Sequence, residues 1–159
     1  MTSCTYDVVP LDDANVRAAA PLLAEYKHGD APVTDAAMAE CKESWRRLIL
    51  TGHSYGLLAR CRETGEYAAF VTYSWGFSST KGMPVLRIQD VFTASRRRRT
   101  GASEALLART ETIAREAGAH RLQLETDVDN AAARALYEKA GYRPIEPKLV
   151  YMRPLVPPP

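Results

Sequence analysis

The chain has 159 residues, 46% of them hydrophobic and 25% charged, the balance of a globular domain that buries one core. Its formal net charge of +2, from 21 basic and 19 acidic side chains, excludes a general polyanion partner. No apolar run approaches the ~20 residues that span a bilayer, and residues 1–12 lack the basic start and apolar middle of a signal peptide. A cytoplasmic protein is expected, without membrane partner, as one domain over residues 1–155 and a flexible tail at 156–159.

Residues 5–9 alternate as a first strand. Asp12 or Asp13 caps a helix to about Lys27, with Val16, Leu22, Leu23 and Tyr26 toward the core; Pro21 inside it predicts a kink or two shorter helices. Thr34 or Asp35 opens a second helix to about Leu50. Residues 54–60, 67–75 and 85–93 are strand-like, with a hairpin turn at 63–66 and a loop at 76–84. A helix spans 101–117, a strand 120–126, and Asp129 or Asn130 caps a last helix through Ala140, ended by Gly141. Residues 148–155 read as a final strand before a fraying tail of Pro157, Pro158 and Pro159. This order describes a mixed sheet flanked by helices.

Cys4, Cys41 and Cys61 are odd in number and widely spaced, and His28, His53 and His120 are equally dispersed. Neither set suggests a metal site or a disulfide framework.

The informative stretch is Asp90-Val91-Phe92-Thr93 at a strand end, then Arg96 to Arg99, then Thr100-Gly101-Ala102-Ser103 opening a helix. A glycine turn feeding a helix start presents unpaired backbone N–H groups with the helix dipole behind them, which suits a pyrophosphate. Neighbouring arginines add forked donors. A plain helix start is the bland alternative, and a nucleic-acid patch another, though no aromatic face is interleaved.

Downstream, Asn130 is followed by Ala131, Ala132, Ala133, Arg134 and Ala135, then Leu136-Tyr137-Glu138-Lys139-Ala140-Gly141-Tyr142. Together the two stretches resemble the GNAT superfamily of N-acetyltransferases. That family's cofactor motif runs Gln or Arg, two variable residues, Gly, one variable residue, then Gly or Ala, against Arg98-Arg99-Thr100-Gly101-Ala102-Ser103 here. Its later motif places Asn and Ala before Leu-Tyr-Glu-Lys-x-Gly-Phe. Ser103 stands where Gly or Ala is usual, and Arg99 where glycine is common.

The resemblance implies a GNAT-like acyl-CoA N-acyltransferase fold with a mostly antiparallel central sheet, acetyl-CoA as cofactor and direct attack by an amine in a ternary complex. It implies that the backbone of Val91, Phe92 and Thr93 pairs with the pantetheine arm. The N–H groups of Arg99, Thr100, Gly101, Ala102 and Ser103 would hold the pyrophosphate, with Arg98 as charged partner. Asn130 would bond the cofactor near its thiol end, beside its role as helix cap.

An ammonium group must lose a proton before it attacks, and Asp90 is the candidate base; ordering a turn is its alternative role. Gln89 stands where related diamine and amino-acid acetyltransferases often carry Glu, and a glutamine cannot act as a base. Tyr137, a phenol protonated at neutral pH, is the candidate acid for the leaving thiolate, or else a core tyrosine. Tyr73, Trp75 and Phe77, in a segment that looks like that of diamine, polyamine and lysine-analogue acetyltransferases, are candidates to stack on a cationic acceptor or to fill the core. A small primary amine is the implied acceptor; a protein lysine or N-terminus, or a silent acyl-CoA sensor, are the alternatives. A homodimer through strands or C-terminal segments is common in the family.

Overall fold

The structure is a computed structural model and describes residues 4–157. Met1, Thr2 and Ser3, with which the stretch read for a leader begins, and Pro158 and Pro159 of the expected fraying tail lie outside the described residues.

Among the described residues, five strands form one sheet in the order β1 (Tyr6–Pro10), β2 (Ser54–Cys61), β3 (Tyr67–Ser78), β4 (Met83–Thr93), β5 (Arg121–Gln123). The first four pair antiparallel and β5 joins β4 in parallel. Four helices cover it: α1 (Val16–His28), α2 (Asp35–Leu50), α3 (Ala102–Glu116) and α4 (Ala131–Lys139). The mixed sheet flanked by helices is the architecture expected from the residue pattern.

Each face of the sheet has its own core. On one, Leu58 and Phe70 pack with Val16, Ala19 and Leu22 of α1 and Trp45 of α2. The Trp45 ring meets Phe70 edge-on at 5.2 Å, a favoured aromatic geometry. On the other, Leu57, Ala59, Val71, Tyr73, Leu86 and Ile88 pack with Leu106, Leu107 and Ala114 of α3, and Leu136, Tyr137 and Tyr142 close over them. Adjacent residues such as Phe70 and Val71 fall in different cores because strand side chains alternate.

Helix starts follow their capping residues. The Thr34 hydroxyl accepts from the Ala37 N–H at 3.1 Å, and Asn130 Oδ1 from Ala133 N–H at 3.1 Å. Asp12 is a different case: its carboxylate holds the turn before α1, accepting from Ala14 and Asn15 N–H at 2.9 and 3.1 Å, and the helix begins only at Val16. Pro21 neither splits nor ends α1, which runs on to His28 with Pro21 on its exposed side.

Three expectations are corrected. The loop expected at 76–84 is ladder on both sides, with pairs from Gly76↔Val85 to Ser78↔Met83, leaving a turn closed by Lys81 and Gly82 N–H bonds to Ser78 O. Its serine and glycine content belongs to the exposed end of a long hairpin, beyond the reach of either core. The final strand expected at 148–155 is absent: this stretch has no ladder partner among the described residues, and Leu149, Val150, Tyr151, Met152 and Leu155 are exposed. Pro147, Pro154 and Pro157 each lack the N–H a ladder needs. Finally, Cys4 and Cys61 form a disulfide, with Cα atoms 5.9 Å apart. Spacing along the chain gave no sign of it; antiparallel pairing of β1 on β2 sets Tyr6 against Cys61 and so brings Cys4 alongside. Cys41 is free and buried.

Candidate active site

The site begins with a bulge. Thr72 opposes Asp90 and Tyr73 opposes Ile88, so β4 carries one extra residue, Gln89. Ile88 packs on the α3 face. Simple alternation would send Asp90 to that same face; the extra residue sends it to the other, together with Phe92. There the Tyr26 hydroxyl of α1 donates to Asp90 Oδ1 at 3.1 Å, and the Thr72 hydroxyl donates to Oδ2 at 2.7 Å.

Below the bulge the sheet opens. β4 and β5 pair only from Val85↔Arg121 to Arg87↔Gln123. The strand expected to run to Thr126 leaves the ladder after Gln123, so Val91, Phe92 and Thr93 have a partner strand on the β3 side only. The resulting cleft is lined by Arg87, Ile88, Gln89, Gln123, Leu124 and Glu125, and Arg87 reaches across it to Glu125 at 3.2 Å.

β4 leads through a 3-10 turn (Ser95–Arg97) into the start of α3. The arginine run divides in two. Arg97 is ion-paired with Glu66 and Arg96 lies 3.6 Å from the same carboxylate, whereas Arg98 and Arg99 have no carboxylate partner among the described residues. Glu66 is correspondingly held below the ordinary carboxylate pKa, first by its bond from Arg97. Gly101 has φ +90°, which glycine adopts at little cost and L side chains rarely. Arg99 has φ +61°, the left-handed geometry that makes glycine common at its position.

The backbone N–H groups of Arg99, Thr100, Gly101, Ala102 and Ser103 have no acceptor among the described residues. Side chains brace the loop from beneath. The Thr100 hydroxyl bonds Arg97 O at 2.5 Å and Tyr6 OH at 2.6 Å, and the Ser103 hydroxyl bonds that of Thr93. Ser103 therefore places its side chain against β4. Ala102 is buried.

From α4, Tyr137 packs at the edge of the α3-side core, its ring 6.0 Å from that of Tyr142. Burial raises the Tyr137 pKa above its ordinary value, and the negative charge of Asp90 raises it further. Tyr26 is raised in the same way, by burial first and then by the charge and hydrogen bond of Asp90. Both phenols therefore keep their protons at neutral pH. Asn130 spends its Oδ1 on the α4 cap and leaves its amide N–H₂ group uncommitted.

The aromatic candidates on β3 lie elsewhere. Tyr73 is buried in the α3-side core, stacked on Tyr55 at 5.4 Å and edge-on to Trp75 at 6.4 Å, and burial raises its pKa. Phe77 is 67% exposed near the hairpin tip. None of the three shares the face on which Asp90 meets Tyr26. Tyr26 and Thr72 are the site residues that sequence reasoning missed. Tyr26 read as one of an apolar helical stripe, and nothing in the local sequence marks Thr72 as the register partner of Asp90.

Residues 19–142 match the acetyltransferase (GNAT) family. The chain belongs to the GNAT acetyltransferase family. Among its GNAT relatives, the uncharacterized N-acetyltransferase YhfO of Bacillus subtilis (strain 168) is 30% identical over 129 residues, 81% of this chain and 84% of the relative. An aminoglycoside N(6')-acetyltransferase type 1 of Serratia marcescens is 26% identical over 113 residues, 69% of this chain and 77% of its own. The aminoglycoside acetyltransferase AAC(6')-Iy, solved in complex with the bisubstrate analog CoA-S-monomethyl-acetylneamine, superposes with TM-score 0.74. It does so over 94% of this chain and 99% of its own, at 16% identity. This GNAT chain thus shares its fold with that enzyme.

Proposed function

We propose that the protein transfers an acetyl group from acetyl-CoA to a primary amine of a small molecule, by direct attack in a ternary complex. The observation that carries this is the convergence of three features. Among the described residues, these are a loop of unpartnered N–H groups beside two arginines without a carboxylate, a strand without a partner on one side, and a protonated phenol whose pKa the charge of Asp90 raises. Family membership and the aminoglycoside acetyltransferase activity for which the Serratia relative is named support the same reading.

The residues present fit coenzyme A. The N–H groups of Arg99 to Ser103 suit a pyrophosphate, with Arg98 as its charged partner. The open side of Val91, Phe92 and Thr93 suits an extended amide-bearing arm. The free amide of Asn130, at the start of α4, is a donor toward the thiol end. When bound, acetyl-CoA supplies the acyl group already activated as a thioester.

Asp90 does the base chemistry. It accepts the proton of the ammonium acceptor, directly or through one water, which exposes the nucleophilic lone pair. Gln89, exposed at the bulge, offers an amide to orient the acceptor and no basic oxygen. Tyr137 keeps its proton at neutral pH and returns one to the departing sulfur. We keep Tyr73, Trp75 and Phe77 as candidates to stack on a cationic acceptor; Tyr73 and Trp75 lie on the side of the sheet that also carries Tyr137. We assign the chain to one domain without nucleic-acid or membrane partner; among the described residues no helix is long and apolar enough to cross a membrane. The exposed apolar stretch from Leu149 to Leu155 supports a homodimer.

The test is release of free thiol from acetyl-CoA across diamines, polyamines, amino acids, aminoglycosides and lysine peptides. Turnover with a small amine supports the reading. Turnover with lysine peptides alone overturns its acceptor class, and acetyl-CoA binding without turnover favours a sensor or an acceptor outside the panel.

A further inference from the structure

We propose that Tyr26 is a positioning residue that aims the Asp90 carboxylate, with Thr72 fixing the second oxygen. The inference rests on the reading of Asp90 as the base.

A carboxylate on a strand turns about two side-chain bonds, and as a base it works only when an oxygen lone pair points at the ammonium proton. Here its two oxygens are held from two different elements, Oδ1 by Tyr26 of α1 at 3.1 Å and Oδ2 by Thr72 of β3 at 2.7 Å. Two donors on separate oxygens fix the plane of the group. Each oxygen still keeps a lone pair, because an ionised carboxylate accepts about four bonds. The clamp therefore orients the base without occupying it.

The two donors are themselves held. Thr72 is 5% exposed and sits directly opposite Asp90 in the ladder. The Tyr26 ring lies 5.7 Å from Phe70, at 81°, and 5.4 Å from Phe92, at 48°. Its hydroxyl is thus delivered by aromatic packing that does not depend on the hydrogen bond. Tyr26 is 46% exposed, yet its hydroxyl is directed onto Asp90 at 3.1 Å. Because its pKa is raised by burial and by Asp90 itself, the phenol is a donor throughout the neutral range and does not compete as the base.

The same turn of α1 makes a second contact. Glu25, adjacent to Tyr26, accepts from the Ser95 N–H at 2.8 Å, at the start of the segment leading to the Arg99–Ser103 loop. One helical turn thus touches both the base and the approach to the anion-binding loop. That places Tyr26 where displacement of α1 would disturb the direction of Asp90.

The experiment compares wild type, Tyr26→Phe, Thr72→Val, Asp90→Asn and the double variant Tyr26→Phe/Asp90→Asn. It uses acetyl-CoA and the amine found in the thiol-release screen, with CoA affinity and Tm measured alongside. Tyr26→Phe keeps the ring and removes only the hydroxyl. The expected result is a kcat about tenfold lower, ~1.4 kcal/mol, with CoA affinity and Tm unchanged. Asp90→Asn should lose more, and the double variant should equal Asp90→Asn alone. Thr72→Val gives the same readout from the other oxygen should Tyr26→Phe accumulate poorly. A wild-type rate in both Tyr26→Phe and Thr72→Val, with Asp90→Asn inactive, overturns the clamp and leaves Asp90 as base. A full tenfold further loss in the double variant overturns it too, since Tyr26 then acts independently of Asp90. Wild-type activity of Asp90→Asn overturns the base assignment itself.

Discussion

Tyr137, already pushed above its ordinary pKa by burial, is pushed further by the charge of Asp90. The proposed acid therefore feels the charge of the proposed base across two elements, α4 and β4, that are some forty residues apart in sequence. For an acid that must hold its proton beside a base that must not, the coupling has the useful sign: each time Asp90 is ionised, Tyr137 is more firmly protonated.

Tyr137→Phe should lower kcat roughly a hundredfold, the usual range for losing one acid, with CoA affinity within about twofold of wild type. Steady-state kinetics and titration with CoA check the two halves separately. Because both burial and Asp90 raise the phenol, the wild-type alkaline limb of kcat assigned to Tyr137 should lie above pH ~10. A limb well below that would belong to another group.

Arg98→Ala should weaken CoA binding about tenfold, the scale of one charge-assisted bond to phosphate, and flatten the dependence of affinity on salt. Arg96→Ala should do far less, since Arg96 is shared with Glu66 in an exposed pair. Titration calorimetry at two ionic strengths separates the variants.

Tyr142→Phe should stabilise the fold by ~1 kcal/mol, because the Tyr142 hydroxyl is buried without a hydrogen-bond partner among the described residues. Burial pushes its pKa up to about 12. The native state thus retains a proton that the unfolded chain releases near pH ~10, so stability falls as pH rises between these values. Urea unfolding at neutral and at high pH should show the gain, and a shallower alkaline decline in the variant.

Reducing the Cys4–Cys61 disulfide, whose cysteines are 57 residues apart, should cost roughly 2–4 kcal/mol through the freedom it restores to the unfolded chain. Unfolding with and without a thiol reductant measures it. Cys4→Ser should show the lower stability and no response to reductant.

The parts legible in the sequence were those written locally. Thr34 and Asn130 announced their helices because a cap needs only its own next turn. The Arg98–Ser103 stretch announced a loop because glycine and a helix start are neighbours in the chain. What was not legible depended on pairing. Alternation over residues 67–75 gives two faces but not which helices cover each, so Tyr73 and Trp75 read equally as core filling or as site residues; they pack on the α3 side, with Tyr137. Tyr26 and Thr72 acquire their meaning only from Asp90, which lies 64 and 18 positions away. Cys4 and Cys61 likewise needed the β1–β2 register.

The extra residue at Gln89 works like a frameshift in a strand. A strand has only two phases, and this one changes phase between Ile88 and Asp90. Were Gln89 paired in ordinary register instead of bulged, every helix cap and nearly every core contact upstream of it would be unaltered, yet the last strand residues would exchange audiences. Asp90 and Phe92 would turn from α1 toward α3, and Val91 and Thr93 would take their places. Thr93 would then leave Ser103, to whose hydroxyl it is bonded. The chemistry of this sheet is thus punctuated by a single position whose own side chain need not take part.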